Sequence, residues 1–190
     1  MEHFFHTIQG WFSYDYLYEH IVKNCNHTDR YHFVEVGSWK GRSSSFMAVE
    51  ILNSKKNIKF DCIDTWSGSE EHYDPSNAVY EPSLLEDPDY LYNLFLTNTF
   101  PVKHIINPIR RQSIQASELY EDESLDFILI DAAHDYDNVL LDLQHWYPKL
   151  RAGGIIAGDD LPWPGVKKAV GEFFQNDYIT TDNVVWVKQK

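Results

Sequence analysis

Short apolar segments alternate along the chain with longer segments of helical periodicity. Strand-like segments are rich in Val, Ile and Phe, and they are residues 31–37, 58–66, 104–110, 125–132 and 153–160. Between them lie segments with apolar residues at three-to-four spacing, and these are residues 41–56, 88–100, 113–120 and 136–150. This order predicts βαβ units and a mostly parallel sheet covered by helices.

The last part of the chain departs from this alternation. Residues 165–190 predict one more helix followed by two short strands around the turn sequence Thr180–Asn183, which is typical of a hairpin. A length of 190 residues suits one compact domain over residues 1–190. We therefore expect a Rossmann-like, doubly wound α/β fold with a mostly parallel seven-stranded sheet and a terminal antiparallel strand.

Two further segments stand outside the βαβ pattern. Residues 1–30 form an aromatic-rich, partly helical leading segment, and residues 67–89 form a long polar loop. Loops of that length in compact domains are usually functional or disordered. We predict that both segments line a binding site, the first as a lid that includes Trp11, Phe12, Tyr14 and Tyr16.

Composition excludes several classes of partner. The formal net charge of -13, from 16 basic and 29 acidic residues, argues against a nucleic-acid backbone as ligand. No basic leader with an apolar stretch and no apolar run near ~18 residues is visible, so we expect no membrane partner and a cytoplasmic location. Two cysteines without CxxC spacing do not form a disulfide framework.

A glycine turn joins the first predicted strand to the first predicted helix, within the stretch Phe33–Ala48. In a doubly wound sheet such a turn borders the ligand crevice, so Gly37 and Gly41 are placed where the backbone can approach a ligand closely. The spacing differs from the G-x-G-x-x-G of dinucleotide sites. Glu35 would repel a phosphate and suits a cationic ligand. The alternative is a turn that only begins a helix.

A carboxylate ends the second predicted strand. Asp64 follows the glycine turn by just over twenty residues, where an acid can accept hydrogen bonds from the two hydroxyls of a ribose. The alternative for Asp64 is a helix or turn cap. Trp66, just beyond it, packs against a nucleoside or supports the following loop.

With these residues in order, the sequence resembles the class I S-adenosylmethionine-dependent methyltransferases from Phe33 to Lys188. The resemblance implies that the methionine part of the cofactor is bound by the glycine turn, the ribose by Asp64 and the adenine beside Gln112 and Ser113. A cationic sulfonium also suits an acidic site. The cofactor-binding residues implied in this way are Glu35, Gly37, Ser38, Gly41, Ser43, Asp64, Trp66, Gln112, Ser113 and Asp131.

Acidic residues follow the fourth and fifth predicted strands. Asp131 ends one strand, and Asp159 and Asp160 end the next. Neighbouring strands are ~5 Å apart, so these carboxylates can converge. Three close carboxylates repel unless a proton or cation lies among them, and an all-oxygen set favours Mg²⁺, Mn²⁺ or Ca²⁺. The alternative is that Asp159 and Asp160 cap the helix that follows.

The same region resembles metal-dependent O-methyltransferases of the catechol and caffeoyl-CoA type. It departs from them in having Asp160 where an Asn is expected and His134 where a lysine base is expected. The Asp-x-x-His spacing followed by an acidic pair is similar to macrolide-sugar O-methyltransferases. That resemblance implies that His134 is the catalytic base and that Mg²⁺ holds sugar hydroxyls.

We therefore predict an S-adenosylmethionine-dependent O-methyltransferase, assisted by a divalent cation, that acts on a hydroxyl of a small molecule such as a sugar or a glycosylated metabolite. The alternatives are a dinucleotide oxidoreductase, a metal-dependent α/β hydrolase built on the same acids, and a non-catalytic cofactor-binding module. The sequence does not identify the acceptor, and a homo-oligomer is compatible with it.

Overall fold

The computed structural model describes residues 1–190, apart from the side chain of Glu71. The strands are β1 (Arg30–Val36), β2 (Asn57–Asp64), β3 (Ile106–Arg110), β4 (Leu125–Ile130), β5 (Leu150–Gly158), β6 (Ile179–Thr181) and β7 (Val185–Gln189). The α-helices are α1 (Asp15–Asn24), α2 (Arg42–Ser54), α3 (Glu70–Tyr73), α4 (Ser83–Glu86), α5 (Tyr90–Asn98), α6 (Ser113–Ser117), α7 (Tyr136–Trp146) and α8 (Pro164–Phe173).

The strands form one seven-stranded sheet in the order β3-β2-β1-β4-β5-β7-β6. β1 pairs in parallel with β2 and β4, and the parallel pairing continues to β3 on one side and β5 on the other. β7 runs antiparallel to both β5 and β6. The predicted fold is therefore confirmed, including the terminal hairpin.

Helices cover both faces of the sheet. One apolar core packs residues of α1, α2 and α5 against the sheet, and the other packs residues of α7 and α8 against the opposite face. The strands contribute to both by alternation, because successive side chains point to opposite faces. In β1, Phe33 lies in the first core and Val34 and Val36 lie in the second. Glu35 shares the face of Phe33, so a carboxylate occupies a core position.

The two segments outside the βαβ pattern have structure of their own. The leading segment contains a short 3-10 helix at Phe5–Thr7 and then α1. The loop at 67–89 contains the short helices α3 and α4. Lys40 contacts both segments. Its ammonium lies 2.8 Å from Gln9 Oε1 of the leading segment and 2.9 Å from Glu81 Oε2 of the loop. None of the helices in the described chain is long and apolar enough to cross a membrane.

Candidate active site

The site lies where the strand order reverses, between β1 and β4. In open α/β sheets the ligand crevice is found at this point, beyond the carboxyl ends of the strands. The turn at 37–41 follows β1, Asp64 ends β2, Asp131 follows β4, and the pair at 159–160 follows β5. The structure thus brings the predicted residues to one edge of the sheet.

The two glycines of the β1 turn have left-handed backbone angles, with φ of 94° at Gly37 and 86° at Gly41. A Cβ on Gly37 would overlap the carbonyl of Asp131, and one on Gly41 would lie 2.7 Å from Thr99 Cγ2. The expected reason for these glycines was close approach to a ligand. The structure gives a second reason, because contacts with the protein itself already require glycine at both positions, and close approach to a ligand stays a prediction.

Glu35 is fully buried beneath this turn. Its Oε2 accepts a hydrogen bond from Tyr18 OH at 2.6 Å, and its Oε1 accepts one from Ser44 Oγ. Burial raises the pKa of the Glu35 carboxyl, while the Ser44 and Tyr18 hydrogen bonds oppose that shift. Glu35 therefore lies behind the turn rather than on the surface of the crevice.

The hydroxyl groups of the turn differ in their surroundings. Ser38 is 2% exposed, and its Oγ is buried without a hydrogen-bond partner among the described residues. Ser43 is also buried, in the first turn of α2. Buried polar atoms are normally paired, and the Ser38 hydroxyl lies close enough to the Glu35 carboxyl to help lower its pKa.

Asp64 organises the second strand end. Its Oδ2 accepts a hydrogen bond from the backbone N–H of Trp39 at 2.8 Å, and its Oδ1 accepts one from the N–H of Trp66 at 2.7 Å. Burial raises the pKa of Asp64, and these backbone hydrogen bonds oppose the shift. The carboxylate therefore joins the β1 turn to the β2 turn, while each oxygen retains a lone pair for a ligand hydroxyl.

The ring of Trp66 is 0% exposed and packs against Tyr92 and Phe95, with centroids 4.9 and 4.7 Å away. Its Nε1 donates to the carbonyl of Trp39 at 2.7 Å. A buried ring cannot stack on a nucleoside. The structure thus corrects the cofactor-contact prediction for Trp66 and favours its alternative, support of the loop.

Gln112 and Ser113 lie after β3, at the start of α6. Gln112 is exposed, and its side chain makes no capping hydrogen bond. The hydroxyl of Ser113 donates to Asp142 and accepts from Trp146 Nε1 at 2.8 Å. Because the Ser113 side chain is bonded to α7, any contact with an adenine would fall to Gln112 or to the backbone.

Asp131 receives a hydrogen bond from the N-terminal segment. Tyr14, itself fully buried, donates from its hydroxyl to Asp131 Oδ2 at 2.8 Å. Burial and then the charge of Asp159 raise the pKa of Asp131 to about 8, although the Tyr14 hydrogen bond opposes this. A cation beside Asp131 would favour the ionised carboxylate and so oppose this rise of the pKa.

His134 lies within the acidic group. Its Nε2 is 2.8 Å from Asp160 Oδ2, and its ring stacks on Trp163 with centroids 5.0 Å apart. One ligand atom from each of Asp131, His134 and Asp160 lies within 4.8 Å of the others. This set differs from the predicted all-oxygen set, because it contains an imidazole nitrogen and does not contain Asp159, and the metal ligands stay a prediction.

The capping alternative for the acidic pair is wrong. The N-cap of α8 is Trp163, and no side chain caps that helix. Asp160 instead has a left-handed φ of 59°, and Asp159 Oδ1 is buried without a hydrogen-bond partner in the described chain. Burial and then the Asp160 charge raise the pKa of Asp159 to about 6.

The donor set fits a divalent cation. Two carboxylates and an imidazole are suitable for Mn²⁺ and other transition metals, whereas Mg²⁺ prefers oxygen alone. The unpaired Asp159 Oδ1 lies on the residue next to Asp160. The crevice also fits a cationic nucleoside, since the carboxylate of Asp64 retains lone pairs at its edge and Glu35 lies beneath it.

Sheet order and strand-end acids together define a class I S-adenosylmethionine-dependent methyltransferase. The chain belongs to the family described as methyltransferase domain, whose model matches residues 34–161. This membership favours the methyltransferase prediction over a dinucleotide oxidoreductase or a hydrolase.

One curated relative matches part of the chain. An uncharacterized protein of Sinorhizobium fredii, y4gI, is 23% identical over 128 residues, which are 67% of this chain and 13% of that protein. The chain therefore spans only a small part of the length of its curated relative.

Solved structures show the same fold. The O-methyltransferase NovP matches with a TM-score of 0.70 at 17% identity, covering 93% of this chain and 79% of that one. CalS11, a TDP-rhamnose 3'-O-methyltransferase of calicheamicin biosynthesis, matches with a TM-score of 0.60 at 15% identity, covering 92% and 76%.

The sequence did not predict the residues that contact the site residues from the side of the core. Tyr18 and Ser44 bond Glu35, and Trp163 stacks on His134. Tyr14 was expected on the acceptor wall but contacts Asp131 from the core. The available signal was the spacing of four residues between the two tyrosines on an amphipathic helix.

Proposed function

We propose that this chain transfers a methyl group from S-adenosylmethionine to a hydroxyl of a sugar or a glycosylated small molecule, with the assistance of a divalent cation. The observation that carries the proposal is the cluster of Asp131, His134 and Asp160 beside the switch point. The sugar preference is supported by the likeness to CalS11, whose title names a TDP-rhamnose 3'-O-methyltransferase.

The cofactor would lie across the β1 turn. In this arrangement the turn at 37–41 and the hydroxyl of Ser38 face the methionine part, Asp64 accepts hydrogen bonds from the ribose, and Gln112 lies beside the adenine. Glu35 contributes negative charge from below the turn. These roles place the sulfonium between two acidic strand ends, where its positive charge is stabilised.

The transfer is an in-line displacement. The acceptor oxygen forms a bond to the methyl carbon, the carbon–sulfur bond breaks, and its electron pair stays on sulfur as S-adenosylhomocysteine leaves. We assign the proton of the hydroxyl to His134 Nδ1, because Nε2 lies 2.8 Å from Asp160 Oδ2 and donates to it, and Asp160 then stabilises the imidazolium. In this role His134 is not a metal ligand, and a cation would be held by the carboxylates of Asp131 and Asp160. A bound cation would lower the pKa of the acceptor hydroxyl and orient it.

The segments 1–30 and 67–89 would wall the acceptor side. Trp11 is 72% exposed and stacks on Trp39, whose ring also packs against His72 of the loop. Aromatic surfaces with polar groups suit sugars.

The test is methyl transfer from labelled S-adenosylmethionine to a panel of nucleotide sugars and glycosides. We expect a chelator to abolish transfer and Mn²⁺ or Mg²⁺ to restore it, while S-adenosylhomocysteine still binds in the chelator by calorimetry. His134→Ala is expected to lower turnover by ~10² to 10⁴, the usual contribution of a positioned base. His20→Ala, on the exposed surface of α1, is the control.

Full activity in the chelator would refute the metal, and wild-type turnover in His134→Ala would refute the base. Transfer only to phenolic acceptors would refute the sugar assignment.

A further inference from the structure

Two tyrosines of the N-terminal segment reach the carboxylates of two different strands. Tyr14, at the N-cap of α1, donates to Asp131 after β4 at 2.8 Å, and Tyr18 donates to Glu35 in β1 at 2.6 Å. Residues four apart lie on one helix face, one above the other. One face of α1, together with its N-cap, therefore presents a hydrogen-bond donor to each of two acids.

The geometry of helix and sheet explains this match. β1 and β4 are neighbours, with Val36 paired to Ile130, so Glu35 and Asp131 flank this pair. Neighbouring strands are separated by ~4.8 Å and one helical turn rises ~5.4 Å. Hence a single helix packed at this edge can present one hydroxyl to each strand.

Both hydroxyls donate to carboxylates from within the core. Tyr14 and Tyr18 are each 0% exposed, and their rings pack edge to face with centroids 5.3 Å apart. Each hydroxyl donates to one carboxylate oxygen, and this hydrogen bond holds that carboxylate in one orientation.

We infer that Tyr14 and Tyr18 are positioning residues of the methyltransferase site, with separate duties. Tyr18, together with Ser44, fixes Glu35 beneath the cofactor turn. Tyr14 fixes Asp131 in the cluster with His134 and Asp160. The duty of Tyr14 rests on the proposed function, because it concerns a carboxylate assigned to a cation, whereas the duty of Tyr18 requires only cofactor binding.

The experiment measures two affinities by calorimetry, for S-adenosylhomocysteine and for Mn²⁺, in Tyr14→Phe and Tyr18→Phe. Each change removes one hydroxyl and leaves the ring in place. Tyr120→Phe is the matched control, because Tyr120 is also buried and donates to a carboxylate, Asp61 Oδ2 at 2.9 Å, away from the site.

We expect Tyr14→Phe to weaken Mn²⁺ binding about 10-fold, the lower end for residues that orient metal ligands, and to leave S-adenosylhomocysteine affinity within about twofold. Tyr18→Phe is expected to do the reverse, since it removes a hydrogen bond to a charged group worth about 10-fold. Ser44→Ala removes the other donor to Glu35 and should repeat the Tyr18→Phe pattern. Tyr120→Phe should change neither affinity.

Unchanged affinities in the Phe variants would overturn the inference, as would an equal loss of both ligands in each variant, which indicates a merely structural role. These outcomes can be distinguished from a failure of the proposed methyltransferase function. A wild-type protein that binds S-adenosylhomocysteine but not Mn²⁺ would refute the metal and the duty of Tyr14 with it, and the Tyr18 arm would still be decided by cofactor affinity.

Discussion

At the scale of single residues, Gly37 is the most constrained position in the site. Its φ of 94° disfavours any side chain, and a Cβ would overlap the Asp131 carbonyl. We expect Gly37→Ala to lower the free energy of unfolding by more than 3 kcal/mol, since backbone strain of about 1–2 kcal/mol is added to steric overlap with the main chain. Urea unfolding measures the difference.

Gly153 provides the matched control for backbone strain. It also has a positive φ, 78°, but a Cβ there would meet nothing within 4 Å. Gly153→Ala should therefore cost only about 1–2 kcal/mol. Equal losses in the two variants would show that the contact between Gly37 and the β4 end is unimportant.

Asp64 carries the next prediction at this scale. Asp64→Ala is expected to weaken S-adenosylhomocysteine binding by about 1–3 kcal/mol, the scale of hydrogen bonds to a charged group. The structure adds that the same change frees the N–H groups of Trp39 and Trp66. Calorimetry on the folded variant measures the affinity, with the exposed Asp122→Ala as the control. Wild-type affinity in Asp64→Ala would rule out the ribose contact.

Residues at strand ends were predictable because parallel strands bring their carboxyl ends to one edge. The inner partners were not, since a contact such as Tyr14 to Asp131 joins positions 117 residues apart. The same limit explains the exchange of Asp159 for His134 in the cluster. Of the two adjacent acids, Asp160 contacts His134 whereas Asp159 has a buried Oδ1, and a dipeptide of acids contains no signal for this difference.

At the scale of elements, one buried acid links the central strands. Asp61 of β2 is fully buried and accepts hydrogen bonds from Asn107 of β3 at 2.8 Å and from Tyr120 at 2.9 Å. His32 of β1 lies 2.6 Å from the same carboxylate. Burial alone would raise the pKa of Asp61, but these partners outweigh it and lower the pKa to about 2.

This pKa shift predicts a pH dependence of stability. The folded pKa of about 2 lies below the ordinary value of 3.8, so the ionised form stabilises the fold above about pH 4, by about 2 kcal/mol. That contribution is lost as the pH falls from about 4 towards 2. Asp61→Asn should therefore lower the free energy of unfolding at pH 7 and should lose less stability than wild type on acidification, as followed by urea unfolding at several pH values.

The exposed Asp182 of the hairpin turn provides a control, as Asp182→Asn should follow the wild-type pH curve. An Asp61→Asn variant with that same curve would contradict the proposed network.

At the scale of the whole molecule, the excess of acids is the dominant electrostatic feature. A net charge of -13 on 190 residues implies self-repulsion that destabilises the compact state at low ionic strength. We expect the Tm to rise by about 2–4 °C, equivalent to about 1 kcal/mol, between ~10 mM and ~150 mM KCl. The measurement should include a chelator, so that screening is not confused with binding of a cation. A Tm that falls with salt would show that the surface ion pairs outweigh the repulsion.

The global fold was more predictable than any single contact. Strand and helix periodicities, and the two strands around Thr180–Asn183, were sufficient to predict the seven strands. The short helices α3 and α4 were not predicted, because four-residue helices lack a periodic pattern. The position of β7 between β5 and β6 is likewise a property of the assembled sheet.

The position of β7 also determines when the edge of β5 becomes paired during synthesis. β7 follows every other strand in the chain, yet it covers the edge of β5, where Ile155 pairs with Gln189 and Gly158 with Trp186. During synthesis on the ribosome, β1 to β5 emerge first, and the β5 edge has no partner until residues 185–189 have left the exit tunnel. An unpaired apolar edge is a template for other chains. A transcript truncated before Val185 would therefore yield an aggregating polypeptide rather than a slower enzyme.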